Sequence, residues 1–227
     1  MSEDARVLSH EQARRFYDRL GSVQDWQWHF EQPAREVMVE HLAIEDATAV
    51  FELGCGTGRF AKDLLERRLP LEARYLAVDA SDTMLRLSRA ALGRFGARVE
   101  VRASDGEPRF DVPDGSFDRF LSTYVLDLLS PADIAAALGE AHRMLKPGGL
   151  LGLVSLTHGE TPLARRIERL WLALHRRNPA STGGCRPLAL SGHPSPEARE
   201  LRHPQVVARF GIRSEVIVAT TAGPRAR

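Results

Sequence analysis

Three closely spaced glycines form the first candidate site in this sequence. Gly54, Gly56 and Gly58 follow the apolar run of residues 49–53. Glu52 lies two residues before the first of these glycines. Glycine permits a tight turn and lets the backbone approach a ligand closely. A helix that begins after the third glycine would also direct its free N–H groups towards that ligand. The spacing therefore predicts a ligand-binding turn between a strand and a helix.

Two carboxylates further along the chain could complete a nucleoside site. Asp79 ends the next apolar run, at the place where Rossmann-like folds hold an acid that accepts hydrogen bonds from ribose hydroxyls. Asp105 follows a third run, and its carboxylate could accept a hydrogen bond from an adenine amine. Each acid also has a structural alternative, because Asp79 could cap the next helix and Asp105 could form a turn before Gly106. Together, the glycines and acids indicate an adenosine-shaped site at the carboxyl edge of a sheet.

Alternating strands and helices are needed to bring these residues together, and the hydrophobic pattern predicts them. The predicted strands are residues 49–53, 74–78, 98–103, 117–122 and 150–156, and the predicted helices are residues 58–68, 81–92 and 130–145. The strand segments are apolar throughout, which is typical of strands covered on both faces. The pattern therefore predicts an α/β fold with a Rossmann-like, doubly wound and mostly parallel sheet.

The flanking segments are predicted to complete and cover this sheet. Residues 9–42 are mostly helical in pattern, with breaks at Gly21 and near Pro33. Residues 1–48 are therefore expected to form a helical cap or lid on a ligand-binding domain of residues 49–221. Further predictions are a helix at 162–177, a long loop at 178–197, a closing antiparallel hairpin at 205–210 and 214–220, and a disordered tail at 222–227.

Composition excludes several classes of function. The 227 residues carry a formal net charge of +1, so no overall field attracts nucleic acid, and a small-molecule partner is expected. Cys55 and Cys185 are far apart, which suits neither a disulfide framework nor a metal site. The polar start of the chain predicts no signal peptide, and no apolar run approaches the roughly 18 residues of a membrane span. A cytoplasmic location is expected, and the oligomeric state stays open.

The motifs resemble those of the class I methyltransferases that use S-adenosylmethionine (SAM). Residues 52–58, E-L-G-C-G-T-G, resemble motif I of that family, and residues 77–81, A-V-D-A-S, resemble its second motif. Residues 114–118, D-G-S-F-D, and 145–149, L-K-P-G-G, resemble the small-molecule subgroup that includes ubiquinone and menaquinone methylases. The resemblance covers residues 17–156 well and the final hairpin moderately.

The resemblance implies a role for each matching position. Motif I would lie against the methionine part of SAM, the acid of the second motif would hold the ribose, and the segment after the third strand would receive the adenine. Residues just past the fourth strand would face the sulfonium, and a tyrosine of the N-terminal helix would reach SAM. The expected cofactor-binding residues are Tyr17, Glu52, Gly54, Cys55, Gly56, Gly58, Asp79, Ala80, Met84, Ser104, Asp105, Gly106, Ser122 and Tyr124.

The residues that would serve the methyl acceptor are less defined. His158, after the fifth strand, and His29 are the candidate bases, although each could equally be an exposed or a packed histidine. Trp26, Trp28 and Phe30 could form a lid over an acceptor pocket or simply the packed face of a helix. No catalytic residue is therefore assigned from the sequence.

Two charged features receive a structural interpretation. Asp127, in the segment L-D-L, is interpreted as a solvated or capping residue. The arginines of residues 162–177 are interpreted as a solvated helix face, and contact with an anionic acceptor or a lipid surface is the alternative.

The predicted activity is methyl transfer from SAM to an O, N or C atom of a small, rather apolar acceptor. Two alternatives remain. One is a nucleotide-dependent oxidoreductase, which the G-x-G-x-G spacing disfavours. The other is a methyltransferase-fold protein that binds without catalysing.

Overall fold

The computed structural model describes residues 7–21, 28–192, 198–209 and 212–221. Trp26 and the tail at 222–227, for which predictions were made, lie outside these ranges. The helices are α1 (His10–Leu20), α2 (Trp28–His41), α3 (Arg59–Arg67), α4 (Asp82–Leu92), α5 (Pro131–Met144) and α6 (Pro162–Arg177). The strands are β1 (Ala49–Leu53), β2 (Arg74–Asp79), β3 (Val99–Ala103), β4 (Phe117–Thr123), β5 (Leu145–Leu156), β6 (Ala198–Arg209) and β7 (Ile212–Thr221).

The seven strands form one sheet in the order β3-β2-β1-β4-β5-β7-β6. The first five strands pair in parallel, whereas β7 pairs antiparallel with both β5 and β6. The strand order reverses beside β1, because β2 follows on one side and β4 lies on the other. This arrangement confirms the predicted Rossmann-like, mostly parallel sheet with an antiparallel C-terminal hairpin, and it opens a crevice at the carboxyl ends of β1 and β4.

The sheet separates two hydrophobic cores. Every residue of β1 is buried, and successive side chains point to opposite faces, so Val50 enters one core and Phe51 enters the other. The first core lies beneath α2 and α3, and the second lies beneath α5. The continuous apolar pattern of the strand segments is explained by this two-sided burial.

The predicted helix break near Pro33 is wrong, because α2 continues through this residue. Proline removes one backbone donor near the start of the helix, and the loss is offset by packing of the residues that follow. Met38 and Leu42 are fully buried in the first core. Arg119 also holds the end of the helix, since Nε and Nη2 donate hydrogen bonds of 2.6 Å to the carbonyls of Leu42 and Ala43.

The C-terminal third differs in detail from the sequence prediction. Strand β5 begins at Leu145 rather than at residue 150, and β6 begins at Ala198 rather than at residue 205. The segment predicted as a long loop contains the 3₁₀ helices Pro179–Thr182 and Leu190–Gly192. The start of β5 pairs with β4, where Leu145 lies opposite Phe117, and the start of β6 pairs with β7. Such long-range pairing leaves no local signal in the sequence. No helix in the described part of the chain is both long and apolar enough to cross a membrane.

The substitution Gly58→Ala tests the close packing of α3 against α4. Gly58 precedes α3 with a φ of 78°, and a Cβ atom at this position would lie 2.9 Å from the Cα atom of Ser88. Left-handed backbone and overpacking should together lower the free energy of unfolding by about 2–4 kcal/mol, measured by urea denaturation. The control Gly139→Ala lies in α5, where a Cβ atom meets nothing within 4 Å, and it should raise stability by roughly 0.5–1 kcal/mol. Equal effects of the two substitutions would contradict this account.

Candidate cofactor and acceptor site

A cavity of about 480 Å³ lies at the carboxyl ends of β1, β2 and β4 and is covered by residues of α1, α2 and α6. Its volume falls in the range of small-molecule sites. Most of the residues expected to bind the cofactor line this cavity, although they come from distant parts of the sequence. They are Tyr17, Glu52, Gly54, Cys55, Gly56, Asp79, Ala80, Met84, Ser104, Gly106 and Tyr124.

Three expected cofactor residues lie just outside the wall. Gly58 is past the turn and begins α3. Ser122 precedes the end of β4 and is fully buried within the sheet, whereas Thr123 and Tyr124 reach the cavity. Asp105 is exposed, and its carboxylate accepts a hydrogen bond of 2.9 Å from the N–H of Glu107. This contact is the turn-forming alternative considered for Asp105.

The two candidate bases are not brought to the cavity. His29 is exposed on α2 and is absent from the cavity wall. His158 lies in a separate shallow depression, where Nδ1 is 2.6 Å from Oε1 of Glu168. Strand β5 ends at Leu156, so the chain has already left the sheet edge when it reaches His158. The geometry therefore assigns neither histidine to the chemistry of this cavity.

The glycine turn is held against the neighbouring strand ends. The N–H groups of Gly54 and Cys55 donate hydrogen bonds of 2.8 and 3.0 Å to the carbonyl of Val78. Gly54 has a φ of 74°, and a Cβ atom there would lie 2.2 Å from Cγ2 of Val125. Glycine is therefore required at position 54 by both conformation and close approach.

Asp79 fastens the turn after β1 to the start of α4. Its Oδ2 accepts a hydrogen bond of 2.8 Å from the N–H of Gly56, and its Oδ1 accepts one of 2.9 Å from the N–H of Ser81. Burial nevertheless raises the pKa of this carboxyl above its ordinary value, because these two amides offset only part of the lost hydration.

Glu52 is a second carboxylate beneath the cavity and is almost completely buried. The hydroxyl of Tyr75 donates a hydrogen bond of 2.9 Å to its Oε2. Burial raises the pKa of Glu52 to about 7, against the opposing effects of this hydrogen bond and of Arg35. Burial therefore disfavours the ionised form of Glu52, and a cation beside the carboxylate would favour it.

Arg35 is a cavity residue that the sequence analysis missed. Its guanidinium lies 5.1 Å from the ring centroid of Trp28, 5.3 Å from that of Phe60 and 5.6 Å from that of Tyr124. The guanidinium also approaches Oε2 of Glu31 to 2.8 Å in an i,i+4 pair on α2. Such a pair beside aromatic residues in a helix is a signal that the sequence analysis did not use.

The interpretation of Asp127 as a solvated or capping residue is wrong. The residue is 0% exposed and belongs to the cavity wall. Neither carboxylate oxygen has a hydrogen-bond partner of normal geometry among the residues that the structure describes. Burial raises its pKa to about 7, and Glu31 adds to this effect. The available signal was an acid inside an apolar run directly after a central strand.

Tyr124 occupies strained backbone at the end of β4. Its φ is 59°, a left-handed value that non-glycine residues rarely adopt, and its hydroxyl lies 2.8 Å from Oγ of Ser214. Strain of this kind concentrates at functional sites, where the surrounding structure holds it in place. The contact with β7 holds the aromatic ring at the cavity edge.

Segment 182–186 contributes Thr182 and Cys185 to the cavity wall and contacts the loop after β4. The hydroxyl of Tyr17 lies 3.9 Å from Sγ of Cys185, and Nε1 of Trp171 donates a hydrogen bond of 3.0 Å to the Cys185 carbonyl. Arg186 donates hydrogen bonds to the carbonyls of Asp127 and Leu129 at 3.2 and 2.6 Å. These contacts give a structural role to part of the segment predicted as a long loop.

A comparison with protein families locates the domain that forms this cavity. The family model described as a methyltransferase domain matches residues 50–149. This chain carries a class I SAM-dependent methyltransferase domain. The match includes the turn after β1 and the ends of β2 and β4, whereas helices α1, α2 and α6 lie outside it.

Curated relatives of the methyltransferase domain act in different reactions. The ubiquinone/menaquinone biosynthesis C-methyltransferase UbiE of Methylobacterium nodulans is 33% identical over 119 residues, which are 52% of this chain and 46% of that enzyme. The malonyl-[acyl-carrier protein] O-methyltransferase of a Marinomonas species is 30% identical over 182 residues, which are 78% of this chain and 63% of that enzyme. The chain thus spans roughly half to two thirds of the length of these relatives.

Solved structures agree on the fold of the methyltransferase domain. The N-methyltransferase NodS from Bradyrhizobium japonicum, in complex with S-adenosyl-L-homocysteine, superposes with a TM-score of 0.69 at 16% identity. The superposition covers 92% of this chain and 98% of NodS. At this identity, the comparison supports the fold and carries no information about the acceptor.

The substitution Glu52→Gln tests the buried charge beneath the cavity. A carboxyl whose pKa is raised on folding contributes stability below about pH 4.5 that is lost as pH rises through about 7. Glutamine removes this loss, so the variant should gain stability relative to the wild type between these pH values, by an amount on the order of 3 kcal/mol. Urea denaturation from pH 4 to 8.5 measures the difference.

The matched control for this experiment is Glu45→Gln, because Glu45 is exposed on the surface. Its stability difference from the wild type should stay nearly constant over the same pH range. A difference for Glu52→Gln that also stays constant would contradict the buried-charge account.

Proposed function

We propose that this chain transfers a methyl group from SAM to an O, N or C atom of a small and largely apolar acceptor. The family match supports the methyltransferase chemistry. The cavity supports a small-molecule acceptor, because it is of limited volume and is lined by aromatic and aliphatic side chains beside its few charged groups. We expect turnover to require both the crevice of the sheet and the helices that cover it.

The observation that favours SAM as the cofactor is the excess of buried carboxylates in the cavity wall. Glu31, Glu52, Asp79 and Asp127 all line the cavity, and burial raises the pKa of each. The wall also contains Glu107 and Asp133 and three arginines, Arg14, Arg35 and Arg59. Arg35 pairs with Glu31, and Arg14 pairs with Asp82 outside the wall, so the acids of the wall outnumber its arginines. A cationic ligand would relieve this excess of carboxylates, whereas a pyrophosphate would oppose it. SAM carries a sulfonium and an ammonium group, so the wall fits SAM better than a dinucleotide.

The cavity walls offer a partner for each part of SAM. Asp79 would accept hydrogen bonds from the ribose hydroxyls, and Met84 would border the adenine. Glu52 would face the ammonium group and Arg35 the carboxylate of the methionine part. Ser104 and Gly106, with Asp105 at the rim, would receive the adenine edge. When bound, SAM supplies a methyl group already activated on a sulfonium, so the chain has to position the acceptor and exclude water.

Within the cap proposed for residues 1–48, α1 and the first two turns of α2 contribute residues to the cavity wall. Trp28 and Phe30 line the cavity, whereas Met38 lies in the hydrophobic core beneath the sheet. The rest of α2 is therefore part of the folded domain rather than a separate lid. Aromatic walls next to the crevice favour an acceptor with an apolar body.

The first test measures binding of S-adenosylhomocysteine and of NAD by calorimetry. We expect the wild-type chain to bind S-adenosylhomocysteine and not NAD. Asp79→Asn should weaken S-adenosylhomocysteine binding by roughly 1.5–3 kcal/mol, the contribution of one charged hydrogen bond. Asp82→Asn is the matched control, because Asp82 lies three residues away with its side chain in an exposed ion pair with Arg14. Binding of NAD alone, or unchanged affinity in Asp79→Asn, would contradict the proposed site.

A second test concerns Arg35, which the sequence analysis did not single out. Arg35→Met keeps much of the side-chain length and removes the guanidinium that would face the methionine carboxylate. Affinity for S-adenosylhomocysteine should fall at least tenfold, corresponding to the loss of one charged hydrogen bond. Arg68→Met, which removes a surface pair with Glu36, should leave the affinity within twofold. Similar affinities of both variants would exclude Arg35 from the cofactor site.

A further inference from the structure

We propose that Asp127 receives a proton from the methyl acceptor, and that the acceptor therefore presents a hydroxyl or amino group rather than a carboxylate. This inference rests on the proposed function and narrows it. It concerns the part of the cavity away from the glycine turn, where the residues of α1, α2, β4 and segment 182–186 meet.

The first observation is the buried carboxylate of Asp127. Among the residues that the structure describes, neither of its oxygens has a hydrogen-bond partner of normal geometry, and the residue lies in the cavity wall just beyond the carboxyl end of β4. A buried carboxylate without a hydrogen-bond partner is costly, so the site is built for a donor that arrives from outside the fold.

The second observation is the set of groups that face Asp127. Glu31 approaches from α2 and raises its pKa, whereas Arg186, from segment 182–186, lowers it. Tyr17 of α1, Tyr124 after β4 and Cys185 are further titratable neighbours. Burial raises the pKa of all three, and the charge of Asp127 adds to this effect, so they are neutral donors at neutral pH. Glu31 and Arg186 are the charged groups that act on Asp127, and the cavity wall also contains Arg35, Arg14, Arg59, His10 and Asp133.

Neither Arg186 nor Arg35 is available to an acceptor carboxylate. Arg186 donates to two backbone carbonyls, including that of Asp127 itself, whereas Arg35 pairs with Glu31 and is proposed to face the carboxylate of SAM. An acceptor carboxylate would enter a poorly hydrated region beside two carboxylates, which disfavours it. A neutral O–H or N–H group would instead supply the donor that Asp127 lacks. The apolar residues Leu156 and Trp171, also in the wall, suit the body of such an acceptor.

In the proposed step, methyl transfer to the acceptor is coupled to proton transfer from the acceptor to Asp127. The acceptor oxygen or nitrogen forms a bond to the methyl carbon while the S–C bond breaks and its electron pair stays on sulfur. The proton on the acceptor atom passes to the ionised carboxylate of Asp127. Asp127 then returns this proton to solvent when the product leaves.

The test compares two probes with the same aromatic ring system on the chain loaded with S-adenosylhomocysteine. Calorimetry at pH 8 measures binding of 2-naphthol, a neutral hydroxyl donor, and of 2-naphthoate, an anion. We expect 2-naphthol to bind at least tenfold more tightly than 2-naphthoate. In Asp127→Asn, the ratio should fall to threefold or less, because asparagine keeps the shape and removes the charge. Glu31→Gln should narrow the ratio in part.

Several outcomes would overturn the inference. They are equal or tighter binding of 2-naphthoate by the wild type, no binding of either probe, and an unchanged ratio in Asp127→Asn. Binding of S-adenosylhomocysteine by wild type and variant separates this failure from failure of the proposed function. A chain that does not bind S-adenosylhomocysteine rejects the methyl-donor site itself, whereas a chain that binds it and prefers 2-naphthoate rejects only the role of Asp127.

Steady-state kinetics with a hydroxyl or amine acceptor gives a readout that a merely structural role of Asp127 would not change. Wild-type kcat should rise as pH increases through about 7, where Asp127 loses its proton. Asp127→Asn should lower kcat at least a hundredfold and abolish this pH dependence, and Asp127→Glu should restore part of both. An Asp127→Asn variant that keeps the wild-type kcat and pH profile would show that Asp127 does not receive the proton.

Discussion

The parallel pairing of β1 with both β2 and β4 is the constraint on which the rest of the site depends. Because parallel strands end at the same edge, the glycine turn after β1, Asp79 after β2 and Tyr124 after β4 arrive together. The chain leaves β1 towards one side of the sheet and returns on the other side for β4. The helices that connect these strands consequently diverge, and the crevice between them is open to a ligand.

Folding around this crevice places several carboxylates where water is scarce. Glu52 is held by Tyr75, and Asp79 is held by backbone amides, yet burial raises the pKa of both. Asp127 lacks a hydrogen-bond partner of normal geometry among the described residues, and burial raises its pKa as well. The buried carboxylates thus carry an electrostatic cost that a cationic cofactor and a donating acceptor would offset. Buried charges that lower stability but would bind ligands are typical of binding and catalytic sites.

The donor and acceptor halves of the cavity come from different parts of the chain. The family match, residues 50–149, contains the strand ends proposed to hold SAM. The proposed acceptor side is walled by Asp127, inside that match, and by residues of α1, α2, α6 and segment 182–186, which lie outside it. Two relatives named for methylating different kinds of molecule are consistent with a shared donor site beneath variable walls. The arginines of α6 are exposed, in keeping with the solvated face expected for them.

The sequence by itself determined the strands, most helices and the methyl-donor motifs, because these depend on local patterns. Apolar runs, the G-x-G-x-G turn and the acid after the second strand each lie within a short window, and the α/β alternation predicts a mostly parallel sheet. Only the tertiary structure decided the order of the strands and which polar residues line the cavity. From the sequence pattern alone, Arg35 and Asp127 resemble surface charges. Their burial results from contacts with segments far away in sequence. His158 was a candidate base because it follows a strand end in sequence. That proximity does not ensure that its side chain lies in the cavity.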